Sequence, residues 1–343
     1  MSHQDLNQAK KAKKNEFYTQ LSDIEKELKH YKHHFKDKIV YCNCDDPKVS
    51  NFFKYFTRNF EHLGLKQVIA TCYKNQLPLN FTEYKDERAC YMIYEGDKNK
   101  NRIVDDYEIK EKLFLKGDGD FRSKESVEFL KEADIVCTNP PFSLFNEYIK
   151  QLIQYEKKFL IIGNINAASN KEIFPLIKEN KIWLGPSISS GDREFQVPKH
   201  YSLQGSSVRI DKKGRKFIRV KGVRWFTNLK HSKRNDKLHL IENYSPEKFP
   251  TYDNYNAIEV RKVVDIPKKW GGAMGVPITF LDKYNPEQFE IIGRDYDVKE
   301  GSLNYLINPK WSGKLDRGYI DNKRKYARVF IKHKTSNHEN RTP

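Results

Sequence analysis

The chain has 343 residues, enough for one large α/β domain or for a core domain with a smaller partner. Its 63 lysines and arginines against 46 acidic residues give a net charge of +17. This excess favours a polyanionic partner, nucleic acid ahead of a membrane surface, although a soluble protein can be this basic without binding one. The sequence has no 18-residue apolar run and no signal-like N-terminus, so we expect a cytoplasmic protein with no membrane partner.

The N-terminal third predicts helices and buried strands in alternation. Apolar residues three and four apart, from Leu21 to Phe35, predict a helix over residues 10–36. A buried strand is predicted for DKIVYCNC, a helix ending at Gly64 for VSNFFKYFTRNFEHLG, and a second strand for LKQVIATCY. Residues 74–102 are polar and poorly periodic, which predicts a loop.

The middle of the chain continues the alternation. A third strand that ends in a Gly/Asp turn is predicted for EKLFLKGDGDF, a fourth that ends in an Asn-Pro-Pro-Phe turn for DIVCTNPPF, and a fifth for KKFLIIGN. Helices are predicted for SKESVEFLKEA, with Ser123 as N-cap, and for SLFNEYIKQLIQYE. One more helix and strand are predicted for NKEIFPLIKENKIWLG. Apolar strands that alternate with helices predict an α/β fold, a parallel sheet wrapped by helices on both faces.

The pattern changes after Gly185. A hairpin with basic strands is predicted for SVRIDKKGRKFIRV and a strand for GVRWFTNL. Short strands and loops rich in Lys, Tyr, Asn and Pro follow, which predict an irregular α+β region. We therefore expect two domains, residues 1–230 and 231–343.

The five cysteines (Cys42, Cys44, Cys72, Cys90 and Cys137) form an odd set without the paired spacing of a zinc site. Reduced thiols and no metal site are therefore expected.

Asn139-Pro140-Pro141-Phe142 follows the fourth strand directly. Prolines cannot extend a sheet ladder, so the chain must leave the sheet in a rigid turn whose carbonyls can face a ligand. The Asn139 side-chain oxygen and the Pro140 carbonyl suit one NH2 group, and Phe142 offers a flat face for an aromatic ring. The exocyclic amine of a nucleobase satisfies all three. A strand-terminating turn capped by Asn139 is the alternative interpretation.

Longer stretches support a specific resemblance. The segments EFYTQ, YCNCDDPKVSNFFKYF, GDGDFRS, DIVCTNPPFSLFNEYI, KKFLIIGN, ENKIWLG and MGVPITFLDKYNPEQFE resemble the EcoRI-type adenine-specific DNA methyltransferases, over most of the chain. The resemblance implies a Rossmann-like S-adenosylmethionine-dependent catalytic domain over 1–230 and a DNA target-recognition region over 231–343. It implies methyl transfer from S-adenosylmethionine to N6 of an adenine flipped out of duplex DNA, as the modification enzyme of a type II restriction–modification system.

The resemblance also implies site residues. Asn139, Pro140, Pro141 and Phe142 would be catalytic, and Phe142 with Phe195 would hold the flipped base. The cofactor would contact Phe17, Tyr18, Thr19, Asn43, Cys44, Asp45, Asp120 and Phe121, with Asp118 as the fallback for Asp120. Each has a plain alternative: aromatic packing beneath the sheet for the N-terminal segment, a helix start at Asp45, a ligand-free Gly/Asp loop, and core burial for Phe195.

Two departures and two alternatives stay open. The loop CNCDDP lacks the glycine common after the first strand of such enzymes, and no carboxylate ends the second strand to hold the ribose. The alternatives are an amino-group methyltransferase acting on RNA adenine or protein glutamine, and a non-catalytic DNA-binding protein. The resemblance implies GAATTC as a candidate target, a monomer without an obligate protein partner is expected, and pairing with a restriction endonuclease is left open.

Overall fold

The computed structural model describes residues 18–44, 46–73, 89–101, 104, 108–197 and 207–334. The chain divides into two compact units. The first comprises residues 1–167 and 184–231, and the second comprises residues 168–183 and 232–343.

Among the described residues, eleven strands lie within the first unit or at its boundary. They are β1 (Ile39–Cys42), β2 (Gln67–Thr71), β3 (Cys90–Tyr94), β4 (Ile109–Phe114), β5 (Ile135–Thr138), β6 (Lys158–Asn164), β7 (Trp183–Leu184), β8 (Asp192–Val197), β9 (Val208–Ile210), β10 (Lys216–Lys221) and β11 (Val223–Thr227). Eight of them form the main sheet in the order β4-β3-β2-β1-β5-β6-β11-β7, and the other three form a second sheet in the order β8-β10-β9.

The helices of the first unit lie at the first four predicted helix positions. In the first unit they are α1 (Leu21–Leu28), α2 (Asn51–Arg58), α3 (Phe60–Leu63), α4 (Lys124–Glu132) and α5 (Phe145–Gln154). Ser123 caps α4 by accepting a hydrogen bond from the Ser126 amide at 3.2 Å, which confirms that prediction. Gly64 ends α3 in the left-handed region, at φ +62°, as a helix-terminating glycine should.

The main sheet is mixed rather than parallel. β2, β1, β5 and β6 run parallel to one another. β3 and β4 join antiparallel beside β2, and β11 joins antiparallel beside β6. The prediction of a parallel sheet is therefore wrong for the flanking strands, because apolar composition marks a buried strand but not its direction.

Two other sequence predictions are wrong in part. The helix predicted over residues 10–36 is confined, in the described part, to α1, and a short 3-10 turn over Lys32–His34 follows it. Tyr31 leaves helical geometry, with φ −125°. The apolar spacing persists there because Tyr31 and Phe35 are buried without a continuous helix. The loop predicted over residues 74–102 contains β3, whose run CYMIY is short and stands in polar surroundings.

A large apolar core stabilises the first unit. Alternate side chains of the main sheet pack against α1 and α2, which contribute Ile24, Leu28, Phe52 and Phe56. Trp225 of β11 lies fully buried against Phe52, edge to face at 5.9 Å between ring centroids. Each large apolar side chain removed from water contributes about 1.5–3 kcal/mol, so this core holds the sheet and its carboxyl edge rigid.

The second sheet is tied to the N-terminal segment. β10 pairs antiparallel with β8, so that Ile218 lies opposite Phe195. On the outer edge of β8, the Tyr18 amide donates to the Gln196 carbonyl at 2.8 Å and the Gln196 amide donates back at 3.1 Å. The predicted basic hairpin is β9 and β10, which are antiparallel and joined by a turn at Gly214.

The second unit is built from short strands. They are β12 (Ala257–Glu259), β13 (Ala273–Val276), β14 (Phe289–Arg294), β15 (Tyr319–Ile320), β16 (Lys323–Arg324) and β17 (Val329–His333), with helices α6 (Phe174–Lys178) and α7 (Asp295–Lys299). One sheet has the order β12-β13-β17-β14, and β15 pairs with β16. Tyr252, Tyr255 and Phe330 pack edge to face in its core. Among the described residues, no helix is both long and apolar enough to cross a membrane.

Candidate active site

The carboxyl ends of β1 and β5 lie side by side at the middle of the main sheet. The two strands are parallel neighbours, with Val40 opposite Ile135 and Tyr41 opposite Val136. The chain runs outward from β1 to β2 on one side and from β5 to β6 on the other, so strand order reverses between β1 and β5. Ligands of open α/β sheets bind at such a switch point. Asn43 follows β1 there, and Asn139 follows β5.

Asn43 is held at both ends by buried hydroxyl groups. The Thr138 hydroxyl donates to its main-chain carbonyl, and the Tyr148 hydroxyl donates to its side-chain oxygen. Burial raises the pKa of Tyr148 well above its usual range, so the phenol remains a donor. These bonds join the loop after β1 to β5 and to α5.

The Asn139–Phe142 corner leaves the sheet as the two prolines require. Asn139 is 6% exposed and Pro140 is buried, whereas Pro141 and Phe142 are half-buried. A 3-10 turn over Phe142–Leu144 follows, closed by the Leu144 amide donating to the Pro141 carbonyl at 2.9 Å, and α5 begins at once. The corner is thus fixed between a buried strand and a buried helix face.

Phe142 and Phe195 are neighbours in space although 53 positions separate them in the chain. Their ring centroids lie 6.2 Å apart with the planes at 85°. Phe195 is 1% exposed and belongs to the apolar core, while Phe142 packs against that core and is half-buried. Phe195 thus supports the Phe142 ring from behind.

The N-terminal candidates Tyr18 and Thr19 lie between β8 and α2. Tyr18 is bridged to Gln196, and the Thr19 carbonyl accepts from the Asn51 side chain at 2.7 Å. The Thr19 hydroxyl is buried and makes no hydrogen bond with the described part of the chain. A buried hydroxyl left in this state costs free energy unless a ligand satisfies it. Phe17 and Asp45 lie outside the described residues.

Cys44 makes the turn that glycine makes in many nucleotide-binding loops. Its φ is +75°, in the left-handed region. A non-glycine residue there costs about 1–2 kcal/mol, so the conformation must be imposed by its surroundings. The Asn43 anchors supply that constraint on one side.

Phe121, next to Asp120, is linked to Asn43 through Tyr148. The Phe121 ring is buried and meets the Tyr148 ring edge to face, at 5.0 Å between centroids. The Asp120 carboxylate is bound by the Arg122 side chain, at 2.9 Å from Nε and 2.8 Å from a terminal nitrogen. Hydrogen bonds from Arg122 hold the pKa of the Asp120 carboxyl below its usual range, although burial opposes the shift.

Gly119, immediately before this pair, is packed against the end of β2. Its φ is +76°, and a Cβ added there would lie 2.1 Å from the Cys72 carbonyl oxygen. Only glycine fits such a contact. The loop that carries Asp120 and Phe121 is therefore pressed onto the carboxyl edge of the sheet.

The basic stretches contain arginines that are already paired within the protein. Arg209 binds Glu194 and Arg215 binds Asp211, each with a contact at or below 2.8 Å. Lys212 and Lys213, in the turn between β9 and β10, are exposed. In the second unit, Asp316 binds Arg324 and Glu259 binds Arg328.

The contacts join most of the candidates into connected groups. Asn43 and Phe121 meet through Tyr148, Phe142 meets Phe195, and Tyr18 borders the strand that carries Phe195. The sequence did not single out four residues that hold these candidates: Asn51, Arg122, Thr138 and Tyr148. Thr138 and Arg122 lie within two positions of the candidates Asn139 and Asp120, whereas Asn51 and Tyr148 act through contacts distant in the sequence.

Comparison with known proteins gives a consistent result along the chain. A family model described as adenine-specific methyltransferase EcoRI matches residues 5–334. The type II methyltransferase M.EcoRI of Escherichia coli is 48% identical over 331 residues, which cover 96% of each chain. The type II methyltransferases M.MgeORF184P of Mycoplasma genitalium and M.MpnI of Mycoplasma pneumoniae are each 39% identical. They cover 95% of this chain, and the matches span 98% and 97% of theirs. No solved structure matches the chain significantly.

Proposed function

Because the chain belongs to the EcoRI family of adenine-specific methyltransferases, we propose that it methylates N6 of a flipped adenine in duplex DNA, using S-adenosylmethionine, as a type II modification enzyme. The single observation that carries the proposal is the Asn139–Phe142 corner, fixed at the switch point of the main sheet with the Phe142 ring half-exposed beside it. A Rossmann-like catalytic domain over residues 1–230 and a target-recognition region over residues 231–343 are part of this proposal.

The residues around the switch point fit S-adenosylmethionine chemically. The buried Thr19 hydroxyl has no hydrogen-bond partner in the described part of the chain, and the amino-acid end of the cofactor carries both donors and acceptors. Asn43 and Cys44 border the same edge, and Asp120 with Phe121 would hold the adenine end by hydrogen bonding and ring contact. Phe17, Tyr18 and Asp45 complete the proposed set. When bound, the cofactor supplies an electrophilic methyl group.

Asn139 and Pro140 would position and activate the target amine. In adenine, the N6 lone pair is delocalised into the ring and is a poor nucleophile. If the Asn139 side-chain oxygen and the Pro140 carbonyl each accept one N–H, pyramidal nitrogen is favoured and the lone pair becomes available. These hydrogen bonds strengthen as positive charge develops on nitrogen, which lowers the barrier without a strong general base.

The aromatic pair would hold the extruded base. Phe142 offers its half-buried face for stacking. The Phe195 ring meets the Phe142 ring edge to face and so restricts its rotation. Pro141 fixes the approach of the chain into this turn, with φ −56°. Stacking on an aromatic ring contributes about 1–3 kcal/mol per base, which offsets part of the cost of flipping.

Duplex DNA is the partner that the charge favours. The basic hairpin of β9 and β10 is hydrogen-bonded to β8, the strand that carries Phe195, so phosphate-binding lysines would lie on the same small sheet as the base pocket. Phosphate contacts dominate the affinity of such proteins. We further propose a monomer that acts in the cytoplasm, where the cell's DNA lies, with GAATTC as the first target to test and a restriction endonuclease as its functional counterpart.

A methyl-transfer assay tests the proposal directly. The protein is incubated with tritiated S-adenosylmethionine and duplexes that contain GAATTC, and the product nucleoside is identified. We expect N6-methyladenine, and label on any other base would contradict the proposal. Parallel reactions with RNA and with a glutamine peptide should stay unlabelled. Duplexes with one base of GAATTC changed establish the site.

Two substitutions at one position supply the matched control. Asn139→Ala removes the side-chain acceptor and should lower the transfer rate by about 100-fold or more, the loss typical of one preorganised hydrogen bond. Asn139→Asp keeps an oxygen in place and should retain more activity than the alanine variant. Circular dichroism and DNA binding should be unchanged in both. Equal activity in wild type and Asn139→Ala would exclude the proposed role.

A further inference from the structure

Two thiols and a carboxylate meet at the edge of the main sheet. Cys72 follows β2 and Cys90 begins β3, and the Cys72 amide donates to the Cys90 carbonyl at 3.0 Å. Their sulfur atoms are 3.3 Å apart. An oxygen of Asp46, in the loop after β1, completes a group whose ligand atoms all lie within 4.8 Å of one another.

This spacing fits a tetrahedral cation bound by sulfur and oxygen. With Zn–S bonds of about 2.3 Å and tetrahedral angles, two sulfur ligands lie about 3.8 Å apart, and a sulfur and an oxygen lie slightly closer. The observed separations reach this arrangement through small side-chain rotations. Thiolate ligands select zinc-like cations over Mg²⁺ or Ca²⁺. Three protein ligands leave a fourth position for water.

The Asp46 side chain is already oriented by its own loop. One carboxylate oxygen accepts from the Lys48 amide at 3.0 Å, and the Asp46 carbonyl accepts from the amides of Val49 and Ser50. This turn leads directly into α2. A carboxylate oxygen of Asp46 therefore lies within reach of both thiols on a loop whose backbone is already ordered.

The cluster lies at a partly open position. Asp46 and Cys72 are half-buried and Cys90 is buried, so a cation can enter from one side and be shielded on the other. A hydrogen bond between the two thiols, with burial, raises the pKa of Cys72 above its usual range. A cation that binds here must displace the thiol protons of its ligands, because the thiolate is the form that binds a metal.

We propose that Asp46, Cys72 and Cys90 form a binding site for one zinc-like divalent cation. This site is separate in its ligands from the residues proposed to hold the cofactor and the base. It joins the loop after β1 to the ends of β2 and β3, and the Cys72 carbonyl also packs on Gly119. A bound cation would therefore cross-link the backbone beside the Gly119–Phe121 loop.

Titration of the full chain with Cd²⁺ tests the site. The protein is kept reduced with a phosphine, freed of metal, and titrated while the thiolate-to-Cd²⁺ charge-transfer absorbance is recorded. We expect saturation at one Cd²⁺ per chain, reversal by Zn²⁺, and no competition by excess Mg²⁺. Binding below one equivalent in the reduced protein, or displacement by Mg²⁺, would overturn the proposal.

Variants assign the ligands. Cys72→Ser and Cys90→Ser should each abolish the absorbance, and Asp46→Asn should weaken the affinity by at least about 10-fold, since even outer-shell partners of a metal cost about 10–100-fold. Cys137→Ala, which removes a buried thiol of β5, is the matched control and should bind as wild type does. Because Asp46 is half-buried, its variant should fold even if a cysteine variant does not. Full binding by Cys72→Ser or by Asp46→Asn would refute the assignment.

Discussion

Phe142 meets Phe195 edge to face, with ring centroids 6.2 Å apart, and only Phe142 is partly open to solvent. One ring of the pair is thus available to a ligand while the other is part of the core. The two positions should therefore respond differently to truncation, although both were expected to hold the target base.

Truncation of the two rings should separate activity from stability. Phe142→Ala should leave stability largely intact and should weaken capture of the flipped base by about 1–3 kcal/mol, while Phe142→Tyr keeps a stacking face and most activity. Phe195→Ala empties a fully buried site and should cost about 3–5 kcal/mol of unfolding free energy. Fluorescence of 2-aminopurine at the target position and urea unfolding measure the two effects. Unchanged 2-aminopurine fluorescence in Phe142→Ala would contradict the stacking role.

Two glycines of one loop provide a test of close packing. Gly119→Ala forces a Cβ to 2.1 Å from the Cys72 carbonyl at a positive φ, and should destabilise the protein by about 2 kcal/mol or more. Gly117→Ala meets only the Glu125 carboxylate, at 3.4 Å, and should be nearly neutral. Calorimetry with S-adenosylmethionine and thermal unfolding should both show the difference. Similar behaviour of the two variants would mean that the loop can move away from the sheet.

The Asp120–Arg122 ion pair should make stability depend on pH in the acid range. The pKa of Asp120 is lowered in the folded protein, chiefly by hydrogen bonds from Arg122, relative to about 3.9 in the unfolded chain. The stabilisation is therefore fully present above about pH 4 and is lost as pH falls through the lower folded value. Because the pair is partly exposed, we expect about 0.2–1 kcal/mol.

Urea unfolding of wild type and Arg122→Met between about pH 3 and pH 7 measures this contribution. The stability difference between them should narrow toward low pH. Glu147→Gln, which removes the second partner of Arg122, should retain the wild-type pH dependence. A difference that stays constant with pH would show that Arg122 acts through packing alone.

The turn between β9 and β10 should contribute to the salt dependence of DNA binding. Lys212 and Lys213 are exposed there, whereas Arg209 of β9 and Arg215, just before β10, are paired with acidic residues. If both lysines contact phosphates, the double variant Lys212→Ala/Lys213→Ala should reduce the slope of log K against log salt by about 2. Lys131→Ala, which breaks an ion pair with Glu128 on α4, should leave the slope unchanged. An unchanged slope in the double variant would exclude this turn from the interface.

Short sequence patterns were sufficient to predict elements that have an apolar run, a capping residue or a terminating glycine. The Ser123 cap, the Gly64 stop and the apolar runs of β1, β5 and β6 were predicted close to their observed positions. Strand direction was not predicted, because burial does not indicate it: antiparallel β11 is buried throughout, as parallel β5 is. β3 was missed because its five residues stand in a polar stretch.

The candidate site residues were easier to predict from the sequence than the residues that hold them in position. The residue types of Asn139–Phe142 suggest a ligand by their chemistry, whereas Asp120–Phe121 was identified only through the family resemblance. The hydroxyls of Thr138 and Tyr148 act on Asn43 across 95 and 105 positions, and no short pattern encodes such contacts. The left-handed turn at Cys44 was also hidden, since its residue type does not favour that conformation.

The bridge between Tyr18 and Gln196 has a thermodynamic consequence. One edge of β8 is hydrogen-bonded to Tyr18, which is proposed to contact the methyl donor, and the neighbouring residue on that strand, Phe195, packs against the base-stacking ring of Phe142. A donor that orders the Tyr18 segment therefore restricts β8, and a base that orders the Phe142–Phe195 pair restricts the Tyr18 segment. By linkage, any gain in DNA affinity caused by the donor must equal the gain in donor affinity caused by DNA. The strand β8 would thereby make binding of the methyl donor and binding of DNA cooperative with each other.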